Sequence, residues 1–432
     1  MNFAKPIVLL LALLAGGFSS QSQAAAEGQV TVFLISIDGI RPDYLPRSET
    51  PFFDQLMTDG AFSLEVSPPF PSVTFASHAT IATGVLAEHH GITGNSYFDR
   101  RTGERYRFAG DQALLEAEPF WTTATRQGIR TLVLDWVKSH NQTGPHATDY
   151  FGMSYTRGLS DEERVQRILG TWRADQASEH GAPLRFILAY SESPDSEGHR
   201  YGPDAPEIEQ RMVAIDALLK HAFTEAKKLW QRDAGPNDVL YKIALSDHGM
   251  APVNYHVDLR KVFEADPRVE LVGGTTMNHF FFHAIEDTTE RQQLIDQTVS
   301  ELREIYPLSV FRKEELTEHW GYRHPYRTGD VVITVPVPYA LFRHNGESLI
   351  QPSSSTGRFF GAHGYDPKES PDMTTVFFMQ RYPDTLGGMN IGPFNLTQIH
   401  ATIAALFGIQ PAEGADPEVF FIPEPSKVGT KR

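Results

Sequence analysis

The chain contains no cysteine, so no disulfide can stabilise it, and core packing and bound metal must hold the fold together. Basic residues are also scarce, because 38 Lys and Arg against 54 Asp and Glu give a formal net charge of -16. This balance argues against binding to a nucleic-acid duplex, which needs a basic face to neutralise a row of phosphates. A small phosphate ester remains a possible ligand, since buried metal ions can reverse the local field.

Long hydrophobic runs are absent too. Beyond the N-terminus, no segment of the 432 residues approaches the ~20 apolar residues that a membrane helix needs. The N-terminus itself combines Lys5 with an apolar stretch from Ile7 to Ala15, which is too short to span a bilayer, and a small-residue cleavage site at Ser22-Gln23-Ala24. We therefore predict a signal peptide over residues 1–24. The mature protein is expected to be periplasmic or secreted, without membrane insertion.

Strand-like and helix-like segments alternate along the chain. Nearly continuous apolar strands are predicted near residues 30–37, 130–135, 184–190 and 239–246, and helices near residues 50–59, from 74, near 161–173 and near 206–230. Ser160 and Glu163 form a capping box at the start of one of these helices. This alternation predicts an α/β fold, with a mostly parallel central sheet and helices on both faces.

The pattern loosens over residues 251–360, which we interpret as a smaller inserted subdomain with one strand starting at Val331. A core strand from Thr374 and a helix near residues 397–407 then close the fold. We predict that residues 25–432 form a single catalytic domain.

Acidic residues and histidines recur after the predicted strands or in a Gly-rich turn; they are Asp38, Asp195, His199, Asp247, His248 and His363. The carboxyl ends of parallel strands open on one crevice, so we expect these side chains to meet there. Three aspartates and three histidines suit two divalent ions, zinc above all. The set predicts metal-assisted hydrolysis of a small-molecule substrate.

Two local conformations matter for these ligands. Pro194 and Gly198 favour a loop over a regular helix around Asp195. Adjacent residues on a continuing strand point to opposite faces, so Asp247 and His248 can share an ion only if the chain turns there. The glycine that follows them permits such a turn.

A nucleophile candidate lies in the segment 71–80, where a proline-bounded turn is followed by small residues typical of a helix start. Free N–H groups and the helix dipole favour an anion at that place. Ser72, Thr74 and Ser77 all offer a hydroxyl, and Ser72 is the plainer helix cap. Asn95 is a candidate oxyanion donor or an ordinary turn residue.

Six segments carry a family resemblance when they are taken in order: Ser36-Ile-Asp-Gly-Ile-Arg-Pro-Asp-Tyr, Thr74-Phe-Ala-Ser-His-Ala-Thr-Ile-Ala-Thr-Gly, His90-Gly-Ile-Thr-Gly-Asn-Ser-Tyr-Phe-Asp, Pro194-Asp-Ser-Glu-Gly-His-Arg-Tyr-Gly-Pro, Ser246-Asp-His-Gly-Met and Ala362-His-Gly-Tyr-Asp. Across Val30 to Gly408 the chain resembles the nucleotide pyrophosphatase/phosphodiesterase family of the alkaline phosphatase superfamily. The resemblance implies an alkaline-phosphatase-like fold and hydrolysis of phosphodiester or pyrophosphate bonds, with nucleotides as substrates.

The resemblance also implies roles for individual residues. Two zinc ions would be held, one by Asp195, His199 and His363, and the other by Asp38, Asp247 and His248. Thr74 would be the nucleophile on the second ion and form a phosphothreonine intermediate. Asn95 and the backbone N–H of Thr74 would bind the transferring phosphoryl group. Phe75 would flank a nucleoside and Tyr155 would stack on a base, although core packing is an alternative role for both aromatics.

Three departures from the family bear on substrate preference. Val137-Lys-Ser stands where Pro-Gly-Ser is usual, Glu192-Ser where Glu-Glu is usual, and Ala76-Ser77 where Pro-Asn is frequent. A lipid-headgroup phosphodiesterase, a phosphomonoesterase and a phosphonate hydrolase therefore stay open as alternatives. So does a metal- or nucleotide-binding protein without turnover.

Overall fold

The computed structural model describes residues 28–178 and 181–421. The predicted signal peptide at residues 1–24 lies outside these ranges. Within them, none of the helices combines the length and the hydropathy that crossing a bilayer would require.

A nine-stranded sheet forms the centre of the fold. Its strands, in spatial order, are Met389–Asn390, Ala61–Ser67, Thr375–Tyr382, Val239–Leu245, Val30–Ile37, Phe186–Ser191, Thr131–Val133 and Tyr150–Phe151, with Phe394–Asn395 also paired to Ala61–Ser67. All run in one direction except Thr375–Tyr382, which is antiparallel to both of its neighbours. The predicted mostly parallel sheet is confirmed.

Helices cover both faces of this sheet. In the strand Val30–Ile37, Phe33 and Ile35 pack into one hydrophobic core while Val32 and Leu34 pack into the other, because successive side chains alternate across a strand. The first core is covered by Tyr44–Arg47, Pro51–Asp59, Asp161–Gln176 and Pro206–Asp233. The second is covered by Thr74–Thr83, Phe120–Arg126 and Gln398–Phe407. Burial on both sides explains why the strands are nearly continuous apolar runs.

The predicted capping box is present. The Ser160 hydroxyl accepts from the Glu163 backbone N–H, and the Glu163 carboxylate accepts from the Ser160 N–H. The helix that it starts, Asp161–Gln176, is three residues longer than the sequence pattern indicated. Its Trp172 stacks on Phe33 of the central strand at a ring-centroid distance of 6.4 Å.

The inserted residues 251–360 pack around a hydrophobic core of their own. A four-stranded antiparallel sheet contains Glu270–Gly273, Met277–Phe281, Val331–Thr334 and Ser309–Arg312, and the helix Thr288–Arg303 packs on it. Smaller sheets pair Tyr339–Leu341, Tyr255–Val257 and Ile350–Pro352, and Gly361–Ala362 with Ala251–Pro252. The hairpin Ser96–Asp99/Glu104–Arg107 and the short helices Ala87–His90, Asp195–Tyr201 and Ser353–Thr356 complete the fold, with 3₁₀ turns at Gln112–Leu114, Leu259–Lys261, Lys313–Glu315, Glu318–Trp320 and Pro371–Met373.

The expectation of a loop around Asp195 is wrong, since residues Asp195–Tyr201 form a short helix. Pro194 lies immediately before the first helical residue, where the missing N–H has no intrahelical role. Gly198 lies inside the helix because space is short there: a Cβ would come within 2.7 Å of the Met250 Cε.

Candidate active site

Two groups of potential metal ligands lie near the C-terminal ends of the adjacent parallel strands Val30–Ile37, Phe186–Ser191 and Val239–Leu245. The first, called group one, consists of Asp195, His199 and His363. The Nε2 atoms of the two histidines are 3.2 Å apart, and they lie 3.5 and 3.4 Å from the Asp195 carboxylate oxygens. Asp195 and His199 are one helical turn apart in the short helix, which turns both side chains to the same side.

The second set, called group two, consists of Asp38, Asp247 and His248, all buried. The His248 Nε2 lies 3.3 Å from the Asp38 carboxylate and 3.2 Å from that of Asp247. The chain leaves its strand at Leu245, so the adjacent residues Asp247 and His248 no longer point to opposite faces. In both groups, the ligand atoms lie within 4.8 Å of one another.

The two groups are in contact. The rings of His248 and His363 stack with centroids 3.6 Å apart and an interplanar angle of 12°. The Thr74 hydroxyl, at the first residue of the helix Thr74–Thr83, lies 3.3 Å from the His248 Nε2. A hydroxyl, six ligand side chains and a helix N-terminus therefore converge at one edge of the sheet.

The three histidines have one orientation in common. The Nδ1 atoms of His199, His248 and His363 lie 2.8, 2.9 and 2.9 Å from the backbone carbonyl oxygens of Gly361, Gly249 and Ser72. A carbonyl oxygen only accepts, so each Nδ1 must carry the hydrogen. In the neutral ring, Nε2 then carries the lone pair, and this is the tautomer that binds a metal.

The carboxylates are held from one side. The Tyr190 hydroxyl donates to Asp38 Oδ2 at 2.6 Å, and the Gly39 N–H donates to Asp247 Oδ1 at 3.2 Å. The other oxygens, Asp38 Oδ1 and Asp247 Oδ2, are buried without a hydrogen-bond partner, and so is Asp195 Oδ1. Three orphaned carboxylate oxygens beside three imidazole lone pairs fit divalent cations.

The pKa shifts of these ligands also fit divalent cations. Burial, followed by the charge of Asp247, raises the pKa of Asp38 well above its ordinary value. Burial and the charge of Asp195 do the same for the pKa of Asp247. Burial, with the neighbouring His199, lowers the pKa of His363 to about 3, which keeps this imidazole neutral. Cations bound here would stabilise the ionised carboxylates without competing against histidine protons.

Of the three candidate hydroxyls, only that of Thr74 is placed against these ligands. The expectation that Ser72 caps the helix is wrong, because Val73 occupies the N-cap position without a side-chain cap. The Ser72 hydroxyl instead donates to the Tyr365 carbonyl and accepts from the Gly364 N–H, so it fixes the loop that carries His363. Ser77 is fully buried within the helix.

Asn95 is tied to the same helix start. Its Oδ1 accepts from the Phe75 backbone N–H at 2.9 Å. Because a backbone N–H only donates, the oxygen of the Asn95 amide must face it, and the amide NH₂ remains available as a donor.

The two predicted substrate aromatics lie apart. Phe75 is half-buried and meets Phe108 edge to face at 5.7 Å. Tyr155 packs edge to face on Tyr190 at 6.4 Å, donates to Glu192 and is covered on one ring face by the Arg164 guanidinium. In the described parts of the chain, no ring contact joins Phe75 to Tyr155.

Three supporting residues escaped the sequence analysis: Ser36, His78 and Tyr190. His78 is fully buried, with its Nδ1 2.8 Å from the Thr74 carbonyl and its Nε2 2.9 Å from the Ser36 hydroxyl. The same Nδ1 lies 3.3 Å from Asp247. A signal existed for His78, since it is one helical turn after Thr74, whereas Tyr190 reaches Asp38 only through strand pairing.

Lys138 stands where the family usually has glycine, and the backbone there keeps a conformation that glycine favours. Lys138 has a φ of 66°, in the left-handed region that glycine favours. Its side chain is fully buried, with the ammonium 5.5 Å from the centre of the Phe75 ring and 5.3 Å from that of Tyr97. This lysine therefore lies behind the aromatic residue that follows Thr74.

Comparisons with known proteins point to one family. The sequence profile described as "Type I phosphodiesterase / nucleotide pyrophosphatase" matches residues 32–366. An uncharacterised pyrophosphatase/phosphodiesterase of Schizosaccharomyces pombe is 28% identical over 404 residues, covering 89% of this chain and 79% of that protein. The bis(5'-adenosyl)-triphosphatase ENPP4 of Homo sapiens is 27% identical over 413 residues, covering 94% and 83%. The structure of human ectonucleotide pyrophosphatase/phosphodiesterase 5 matches with a TM-score of 0.74 and 25% identity, covering 88% of this chain and 96% of that one.

Proposed function

The chain belongs to the type I phosphodiesterase / nucleotide pyrophosphatase family, and from that premise we propose that it is an exported, zinc-dependent hydrolase of nucleotide phosphodiester or pyrophosphate bonds that acts through a phosphothreonine intermediate. Export to the periplasm or the medium rests on the N-terminal sequence pattern. Residues 25–432 would form the one catalytic domain.

One observation carries the proposal. The Thr74 hydroxyl lies 3.3 Å from the His248 Nε2, at a helix N-terminus and beside two ligand groups whose three histidines all have Nδ1 bound to a backbone carbonyl oxygen and Nε2 turned to the group. Divalent cations bound at two such groups lower the pKa of a hydroxyl nucleophile and neutralise charge on phosphoryl oxygens. Each ligand group offers three side chains, drawn from aspartate and histidine without a thiolate. Such a set of donors suits a catalytic zinc ion.

The side chains then have separate tasks. The Thr74 hydroxyl gives its proton to solvent, its Oγ1 attacks phosphorus, and the bond to the leaving oxygen breaks with its electron pair going to the leaving group, which can take up a proton from solvent. The Asn95 amide donates to a phosphoryl oxygen, and the free amides at the helix N-terminus favour the same charge. Water then attacks the phosphothreonine, the bond from Thr74 to phosphorus breaks, and the water proton returns the hydroxyl. His78 contacts the Thr74 carbonyl and the Asp247 carboxylate and so fixes their positions, and the Ser36 hydroxyl holds the His78 ring.

Elemental analysis beside a turnover assay tests the metal part of this proposal. Protein purified without chelators should contain about two zinc ions per chain and should hydrolyse bis(4-nitrophenyl) phosphate faster than 4-nitrophenyl phosphate. Chelation should abolish turnover, and zinc should restore it. Less than one zinc per chain, with none taken up on addition, would contradict the two-metal proposal, and a faster monoester would contradict the substrate class.

Nucleotides are the proposed substrates because Phe75 flanks Thr74, and because the similar human ENPP4 is named for its action on bis(5'-adenosyl) triphosphate. Stacking on an aromatic ring contributes ~1–3 kcal/mol per base. Phe75→Ala and Tyr155→Ala should therefore raise KM for nucleotides about tenfold and leave bis(4-nitrophenyl) phosphate nearly unchanged. Equal losses on both substrates would assign the two aromatics to packing.

A further inference from the structure

A segment of the inserted residues contacts the stretch of chain that carries Asn95. This residue belongs to the connection 91–95 between the helix Ala87–His90 and the strand Ser96–Asp99, and it lines a cavity of about 780 Å³ beside group one. The hydrogen bonds of a helix or a sheet do not fix such a connection, so contacts from elsewhere must do so. Residues 322–330, which we call the clamp, supply several of them.

Tyr322 of the clamp binds this connection through its hydroxyl. The hydroxyl donates to the Thr93 carbonyl, two residues before Asn95, since a carbonyl oxygen only accepts. The Tyr322 oxygen also lies 3.0 Å from the Nε2 of His279. The His279 Nδ1 accepts from the Gly329 N–H at 3.0 Å, so Nε2 carries the hydrogen and donates to Tyr322. Burial lowers the pKa of His279 to about 3, which keeps the ring in this neutral form.

Arg327 of the clamp binds the chain on either side of Asn95. Its nearly fully buried guanidinium donates to the Gly91 carbonyl and to the Asp99 carboxylate, each at 2.9 Å. Its backbone carbonyl accepts from the Thr93 hydroxyl at 3.1 Å. The clamp therefore contacts the chain at three points, two before Asn95 and one after it.

Tyr322 has no access to a substrate. It is fully buried, and its ring packs edge to face on Phe70 at 5.3 Å. The hydroxyl is not needed for that packing, but its hydrogen bond fixes the direction of the Thr93 carbonyl and with it the peptide planes that lead to Asn95. Because the Asn95 Oδ1 is bound to the Phe75 N–H, a shift of these planes changes where the amide NH₂ points.

We propose, on the basis of the function proposed above, that the clamp positions the oxyanion donor: Tyr322, oriented by His279, fixes the Asn95 amide for its hydrogen bond to the phosphoryl oxygen. A donor of this kind must lie about 2.7–3.1 Å from the oxygen on which charge develops, and a displacement of about 1 Å can cost about a hundredfold in rate. Tyr322 is then a positioning residue, and the inserted residues contribute to turnover through it.

A double-mutant cycle on bis(4-nitrophenyl) phosphate tests this role. The variants are Tyr322→Phe, which removes the hydroxyl and keeps the ring, Asn95→Ala, and the two combined. Tyr150→Phe is the matched control, because its hydroxyl donates to Asp175 at 2.9 Å and its strand lies at one edge of the central sheet. The quantities measured for each variant are kcat, KM, Tm and zinc content.

Tyr322→Phe should lower kcat about tenfold and change KM less than about twofold, whereas Asn95→Ala should lower kcat about a hundredfold. The combined variant should have the kcat of Asn95→Ala within about twofold, because the Tyr322 hydroxyl acts only through that amide. Tyr150→Phe should keep the kcat of the parent protein.

Losses that multiply in the combined variant, a Tyr322→Phe variant with the parent kcat, or an equal loss in Tyr150→Phe would overturn the inference while the hydrolase function stands. Full activity of Asn95→Ala would do the same, because the clamp would then have no donor to position. If Tyr322→Phe does not fold, the same cycle with Thr93→Val, which removes another hydrogen bond to the clamp, decides by the same outcomes. Parent protein that hydrolyses no phosphodiester would refute the proposed function itself, and this inference with it.

Discussion

Thr74 is the residue on which the proposed chemistry depends, because its hydroxyl alone among three neighbours lies against a ligand group. Thr74→Ala should reduce turnover at least about a thousandfold, as loss of a nucleophile does. Thr74→Ser should keep measurable activity, since its hydroxyl can take the same place. Metal content should remain in both variants. The matched control is Ser77→Ala in the same helix, and if this variant is the inactive one, the nucleophile is assigned wrongly.

A second prediction at the scale of single residues concerns Lys138. Burial lowers the pKa of Lys138 to about 7 from an ordinary value of 10.5. Between those values the unfolded chain holds the extra proton, so this residue destabilises the fold increasingly as the pH falls toward 7, and fully below it. Lys138→Met should therefore raise the free energy of unfolding more at pH 7.5 than at pH 9.5.

The advantage of Lys138→Met should shrink by about 1.4 kcal/mol per pH unit across that window. Denaturant unfolding at the two pH values measures it, with Lys220→Met on an exposed helix face as the control. An advantage that does not change with pH would mean that the buried ammonium finds enough solvation from the aromatic rings around it.

At the scale of elements, the turn after Asp247-His248 depends on space. Gly249 was expected to permit the turn through its backbone freedom, but it has no positive φ. The structure gives a different reason, since a Cβ there would overlap the carbonyl oxygen of Asp372, a backbone atom that cannot rotate away. Gly249 thus lets two chain segments approach closely at the edge of group two.

Gly249→Ala should therefore lower both stability and metal content, with a cost of about 2 kcal/mol or more from the displaced backbone. Gly170→Ala is the opposite case, because Gly170 lies inside the helix Asp161–Gln176 with open space where a Cβ would go. That change should stabilise the protein by about 0.5–1 kcal/mol. Thermal unfolding of both variants, with zinc analysis, checks the pair; equal effects would contradict the packing argument.

At the scale of the whole molecule, bound cations should be part of the stability. The chain has no disulfide and a charge of -16, and its most buried acids repel one another. Each metal site adds about 2.7 kcal/mol to the free energy of unfolding when the free metal concentration is about 100 times its dissociation constant. Chelation should lower Tm by several degrees, and zinc should reverse the shift. The Tm shift should be smaller in Asp247→Asn than in the parent protein and unchanged in Asp233→Asn, an exposed control. Identical shifts in the parent and both variants would locate the stabilising metal elsewhere.

The sequence by itself determined the α/β fold, because strands buried on both faces leave an apolar run that local chemistry can signal. It also determined which acids and histidines follow those strands. The capping box at Ser160 needed no tertiary information, since both of its hydrogen bonds are local. The helices and strands, the family membership and the residue types of the two ligand groups could therefore be predicted from the sequence.

Only the tertiary structure decided how these residues meet. The conformation around Asp195 depends on Met250 and Gly361, which approach from distant segments. The tautomer of His363 depends on the Ser72 carbonyl, 291 residues away along the chain. The cavity beside group one joins a hairpin to inserted residues that share no sequence pattern. Contacts between segments far apart in the chain leave no local periodicity, so their geometry, and the choice of substrate with it, emerges only on folding.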